Sequence, residues 1–264
     1  MSPTGALAWK AWLETRARFA TGLAAVLAVC GFMTLMRPYI VAQWRRDLVE
    51  HPEWRNPIWF DDVLNDYSFY LWHYLYDDML QKTLVIFAVL LGVGGLAREA
   101  AAGSAGLTLS LPVGRGRLLA IRAAVSAAEL AVLAAVAVAA ILTGSLVVGE
   151  AYPLGHGILH LALIFAGSLV ILAASLTLSA CVEGEYAPVL RGLSAVTLFY
   201  FLASPYSDGG DQPGLVRALN LAAVMAGGSG AGAEDIPWLG LAVAGTVGAG
   251  TAWLAFRRTR SHDY

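Results

Sequence analysis

The sequence predicts an all-α polytopic membrane protein with six transmembrane helices, and three observations carry that reading. Apolar residues make up 58% of the chain and charged ones only 14%, against about 45–50% and about 25% in an ordinary soluble domain. The charges are clustered, leaving long stretches with none. Those stretches are continuous rather than alternating, so their backbone satisfies its hydrogen bonds in lipid as helices and not as a closed barrel. The net charge of −2 supplies no global basic field for nucleic acid.

A span needs about 20 mainly apolar residues to cross about 30 Å of hydrocarbon. Six segments meet or approach this: residues 19–36, 80–97, 121–148, 158–182, 187–204 and 236–256. The first follows a basic stretch (Lys10, Arg16, Arg18), as in a signal peptide. Its apolar run is longer than an h-region, however, and Arg37-Pro38-Tyr39 is no small-residue cleavage site, so it reads as an uncleaved span. The second and fifth are the weakest, with Gln81 and Lys82 at the start of one and Arg191 near the start of the other. Long basic side chains near helix ends snorkel to the headgroups.

Three further pieces do not span. Residues 5–18 place Trp9, Trp12 and Leu13 near one helical face, with Lys10, Glu14 and Arg18 elsewhere. That pattern predicts an interfacial helix on the inner leaflet, before a turn into the first span. The outer loop 37–79 carries eight aromatics between Trp59 and Tyr76. Trp59, Val63, Tyr67, Tyr70, Leu71 and Tyr74 fall at helical spacing among Asp61, Asp62, Asp66 and Asp77, which predicts an amphipathic helix at the outer interface. Segment 207–235 is rich in Gly, Asp and Ala around an apolar patch at 215–225, a candidate short re-entrant or interfacial helix.

Orientation follows from the basic residues. With the N-terminus inside, Lys10, Arg16, Arg18, Arg98, Arg115, Arg117, Arg122, Arg191, Arg257, Arg258 and Arg260 are cytoplasmic, 11 of the 17. Both termini are then cytoplasmic, as an even number of spans requires.

No catalytic, cofactor-binding or metal constellation stands out. A GxxxxGK[ST] phosphate loop is absent, so the chain does not bind and hydrolyse ATP in the usual way. HExxH and GxSxG are absent too, and the five histidines (51, 73, 156, 160 and 262) are scattered. His73 lies one helical turn from Asp77, a spacing that suits an interfacial hydrogen bond better than a metal. Cys30 and Cys181 sit in apolar runs without a partner motif and read as small core residues. Glu129 is the one acidic residue well inside a span, with Arg122 seven residues earlier on roughly the same face. Ionisable groups at that depth face a partner or a watery cavity. Glu129 therefore reads as half of an internal pair with Arg122, or as a contact for substrate or a proton.

The sharpest signal lies between the second and third spans. Arg98-Glu99 is followed by Gly103-Ser104, then Leu107, Leu109 and Ser110-Leu111-Pro112-Val113, then Arg115 and Arg117. Leu107, Leu109 and Leu111 with Pro112 form an apolar knob in a loop too short to span, and the arginines anchor its exit to anionic headgroups. This stretch resembles the signature of ATP-binding-cassette (ABC) type-2 permeases. It departs from the family pattern in Gly114 and Gly116, which stand beside the arginines in place of polar or basic residues, and in the long first outer loop.

The resemblance implies a single permease domain over residues 1–264, with an N-terminal interfacial elbow helix and a cytoplasmic coupling helix between spans two and three. It implies a multi-pass protein of a bacterial-type inner membrane that works, mostly as an exporter, with a second permease copy or paralogue. Separate cytoplasmic ATPase subunits would bind ATP and Mg, so the chain itself is no enzyme. Coupling would run through Arg98, Glu99, Gly103, Leu107, Leu109, Ser110, Leu111, Pro112 and Val113, with Glu183 and Glu185 as a second contact. Two other classes are weaker on the same residues. An ion-driven secondary transporter would show discontinuous spans in repeated halves. An intramembrane enzyme using Glu129, His156 or His160 would need paired catalytic groups at a fixed depth.

Overall fold

The computed structural model describes residues 2–51, 59–93, 114–181, 218–228 and 236–261. Among these residues the structure is helical, without a strand. Helix α1 (Pro3–Glu50) starts at Ser2, whose hydroxyl accepts from the Gly5 N–H. α2 (Trp59–Asn65) follows, then α3 (Tyr67–Tyr70), capped by the Asp66 carboxylate on Ser68 and Phe69 N–H. α3 continues into a π-helical segment (Leu71–Leu80) and then α4 (Gln81–Gly92), so residues 67–92 form one unbroken rod. α5 (Arg115–Val148), α6 (Leu154–Cys181), the short α7 (Leu221–Ala226) and α8 (Trp238–Ser261) complete the order.

Among the described residues four helices are long and apolar enough to cross a membrane: Thr4–Glu50, Arg115–Val148, Leu154–Ser179 and Trp238–Thr259. The expected fifth span, 187–204, lies outside the described residues. Of the expected second span, 80–97, the described residues include only 80–93; there α4 has 12 residues, Gln81–Gly92, and is not one of those four helices.

Two expectations need correction. No turn separates residues 5–18 from the first span, because α1 runs on as a single helix of 48 residues. At about 1.5 Å per residue this is roughly 72 Å, over twice the hydrocarbon thickness of about 30 Å. Each helical residue closes its own backbone bond, so the helix outlasts the apolar run at both ends. It passes through Pro38, which withholds one backbone donor without ending it. The aromatic segment, in turn, is not an interfacial helix. Tyr67, Tyr70, Leu71, Leu75, Tyr76 and Leu80 are all buried and belong to the main core. The buried positions 71, 75, 76 and 80 recur at four and five residues, a spacing suited to the wider i→i+5 winding of a π-helix.

α1 and α5 form the backbone of the bundle. Three side-chain links join them, Thr4–Arg117, Glu14–Arg122 and Thr15–Glu129, and a fourth, Arg37–Glu150, reaches the turn just after α5, with sequence separations of 113, 108, 114 and 113. The near-constant offset means that the two helices run parallel in one register. α1 buries Leu7, Ala11, Thr15, Val26, Cys30, Met33 and Arg37, positions three, four or more residues apart on one stripe. Gly144 permits the closest approach, since a Cβ there would lie 2.8 Å from Thr34 Cβ. The 67–92 rod returns antiparallel to α1, with Tyr70 Oη donating to Met33 O and Arg18 reaching Leu90 and Val93. α6 packs on α4 and α5, and Gly92 meets Ser175 Cβ at 2.7 Å from its own would-be Cβ. α8 packs along α6, with Gly248 beside Val170 and Thr177 donating to Thr251 O, so those two helices run parallel. Its other face leaves Trp238, Leu239, Val247, Trp253 and Leu254 exposed, a surface for lipid or a protein partner.

Candidate functional site

The end of the bundle that carries the N-terminus holds a polar cluster built by three helices. A helix terminus leaves its last four carbonyls without intrahelical donors. In α4 those of Leu90, Leu91 and Val93 are met by side chains from neighbouring helices. Arg18 Nη1 donates to Leu90 O at 2.7 Å and to Val93 O at 2.6 Å. Arg122 Nη2 donates to Val93 O at 3.0 Å, and Ser126 Oγ to Leu91 O at 3.1 Å. Arg122 Nη1 also pairs with Glu14 Oε2 at 2.8 Å, and Glu14 lies 3.8 Å from Lys10 Nζ. Further out, Arg117 Nη2 donates to Thr4 Oγ1 at 2.5 Å. The cations sit where the α4 dipole is negative, which favours them there.

Glu129 lies at the inner edge of this cluster and is only 4% exposed. The Thr15 hydroxyl donates to its Oε1 at 2.5 Å, while Oε2 is buried without a hydrogen-bond partner. Arg122 and Arg18 act on it through space only. The sequence-based pairing of Glu129 with Arg122 is thus corrected: Arg122 forms its ion pair with Glu14, and Glu129 bonds across to α1. Helical periodicity within α5 could not reveal a partner 114 residues away.

The opposite end is aromatic. Arg37, 7% exposed, is ion-paired with Glu150 in the α5–α6 turn. Its guanidinium lies 4.8 Å from the Tyr67 ring centre and 5.7 Å from that of Tyr70. Tyr67 Oη and Ser145 Oγ are 2.7 Å apart, and Tyr152 donates to Tyr76 Oη at 3.1 Å. Burial lifts the Tyr152 phenol to about 12. Tyr76 stacks on the buried His160 at 5.0 Å. Gln81 and Trp72 donate to the carbonyls of Ala222 and Ala226, fixing the buried α7 against the rod. His73 stacks on Phe69 and meets Tyr74 edge-on.

Glu129 stands near the middle of α5, and His160 lies in the second turn of α6, which runs the other way. Glu129 bonds to Thr15 and His160 stacks on Tyr76, so they have different neighbours, and among the described residues no group of three or more His, Cys, Asp and Glu could hold a metal. The predicted coupling residues Arg98, Glu99, Gly103, Leu107, Leu109, Ser110, Leu111, Pro112 and Val113, and likewise Glu183 and Glu185, lie outside the described residues. The two flanks of the first group are described, and the polar cluster ties them together. Val93 closes one side and Gly114, N-cap of α5, opens the other. Arg18 was not singled out from the sequence. Its signal was its position, the last charge before the apolar run of α1.

These features define a multi-pass helical membrane protein whose polar groups gather at the root of one inter-helix segment. The family model described as ABC-2 family transporter protein matches residues 15–213, and the chain belongs to that family of membrane transport subunits. No curated protein and no solved structure matches it.

Proposed function

We propose that the chain is the permease subunit of an ABC exporter, driven by ATP that separate cytoplasmic subunits bind with Mg and hydrolyse. The observation that carries this reading is the family match across residues 15–213. The architecture fits it. α6 and α8 run parallel, so the chain between them starts at one end of the bundle and finishes at the other. That favours six spans with both termini on one side, the cytoplasmic side by the distribution of arginine and lysine. The membrane is then a bacterial-type inner membrane. The exposed apolar face of α8 suits surrounding lipid or a second permease copy or paralogue.

The ATPase docks on Glu99–Val113, with Glu183 and Glu185 as a second contact. Leucines in a cytoplasmic loop need a covering partner, and anchors of such an interface each contribute roughly 2 kcal/mol or more. The test is a pull-down of the cognate ATPase. Leu109→Asp and Leu111→Asp are expected to abolish its capture or to uncouple hydrolysis, while membrane insertion stays intact and Arg257→Ala has little effect. Capture and coupled hydrolysis at the parental level in both aspartate variants would remove this segment as the coupling element.

A further inference from the structure

We propose that Arg18 is a positioning residue for transport: it locks the last turn of α4 to α1, so that movement imposed on the segment after Val93 reaches the spans. The proposal rests on the permease reading and adds to it a specific transmission contact. One nitrogen of Arg18, Nη1, serves two carbonyls three residues apart, Leu90 O at 2.7 Å and Val93 O at 2.6 Å. Arg122 Nη2 and Ser126 Oγ supply Val93 O and Leu91 O from α5. The terminal turn is therefore plugged into a frame of two parallel helices, itself cross-linked by Thr15 and Glu129.

A helix end without such donors frays, because its final carbonyls turn to water and the last turn opens at little cost. A push on the following segment would then be absorbed by unwinding residues 90–93. With Arg18 in place the same push displaces α4 and α1 together. Arg18 touches no substrate or nucleotide on this account. Its role is mechanical and acts through the α4 carbonyls, while Arg122 and Ser126 hold the same turn from α5.

The experiment uses the permease copurified with its cognate ATPase and reconstituted in vesicles of phosphatidylethanolamine and phosphatidylglycerol. Cys30 and Cys181 are replaced by alanine, and spin labels are placed at Tyr39 and Leu154, both exposed at the end of the bundle remote from Arg18. The distance between labels is read with ADP and with ATP plus vanadate. The parental complex is expected to shift between the two states. Arg18→Ala is expected to keep the ATPase bound while losing the shift, with the shifted population falling about tenfold, the factor for about 1.4 kcal/mol of lost coupling. Arg18→Lys, which keeps a cationic donor, is expected to restore most of it. A full shift in Arg18→Ala with the ATPase bound overturns the lock and leaves the permease reading standing. Failure of the parental chain to capture the ATPase removes the reading itself and the lock with it. If Arg18→Ala does not fold, the decision passes to Arg18→Gln against Arg18→Lys. Equal shifts in those two overturn the proposal.

Discussion

The two ends of this bundle are held together in different ways. At the N-terminal end, long charged side chains reach across to backbone carbonyls and to each other: Arg18 and Arg122 on the end of α4, Glu14 on Arg122, Thr4 on Arg117. At the far end, rings and branched side chains fill the space, with Tyr70, Leu71, Leu75, Tyr76 and Leu80 almost wholly buried. Directional bonds can be exchanged one at a time, whereas a packed core resists any displacement that opens a void. The difference suits a molecule that receives a mechanical input at one end and needs a stiff body to carry it. The π-helical segment belongs to the stiff part, since Leu71, Leu75, Tyr76 and Leu80 within it are among the most buried side chains in the described residues.

The largest contrast is expected from truncating that core. Tyr76 is fully buried, stacked on His160 and bonded to Tyr152. Large aromatic to alanine changes in cores cost about 3–5 kcal/mol, so Tyr76→Ala should lower stability by about that much in a denaturant titration of detergent-solubilised protein. Leu7→Ala, at the N-terminal end and 9% exposed, should cost no more than about 2 kcal/mol, below the range for a well-packed leucine. Equal losses would break the comparison.

A middle-sized effect is expected where α1 and α5 touch most closely. In Gly144→Val the new Cβ meets Thr34 Cβ, 2.8 Å away, and backbone on both sides is helical. Overpacking of this kind costs about 1–3 kcal/mol. Thr34→Ala in the same chain should recover only part, because it removes Oγ1 and Cγ2 but keeps Cβ. A strictly additive double variant, measured in the same titration, would show that the two residues do not share the strain.

How much of this was readable from the sequence depends on what hydropathy measures. Residues 121–148 and 158–182 are continuous apolar runs, and α5 and α6 cover them almost completely. Hydropathy reports the solvent a residue prefers, not where a helix stops. It therefore divided α1 into an interfacial helix, a span and a loop, although Trp9, Arg37 and Trp44 all belong to one rod. In the aromatic segment the aspartates drew attention to an interface. The better signal was the spacing of Leu71, Leu75 and Leu80, too wide for an α-helical stripe and matched to the π-helix that forms. At the candidate site, Glu129 was legible as a lone acid in a span, because such a charge is costly wherever it points. Its partner Thr15 was not legible, and neither was the role of Arg18, because both depend on which helices pack together.

The smallest expected effect is also the most local. Thr15 Oγ1 lies 2.5 Å from Glu129 Oε1 and within 3.1 Å of Ala11 O. Valine keeps the shape of threonine and removes only the hydroxyl, so Thr15→Val isolates this one link between α1 and α5. Glu129 Oε2 already lacks a partner, and the substitution leaves the whole carboxyl group without a hydrogen bond. An unsatisfied buried polar group costs about 1–3 kcal/mol, and the low end applies here because Arg122 and Arg18 still act on the carboxyl through space. The stability loss should be about 1 kcal/mol. Hydrogen exchange places it: amides of 114–129 and of the last turn of α4 should exchange faster, while those of 67–80 stay as protected as in the parent. Local opening of this kind is the signature of an end held by separable bonds. Uniformly faster exchange through 67–80 would mean that the two ends open as one cooperative unit, and the contrast between them would not survive it.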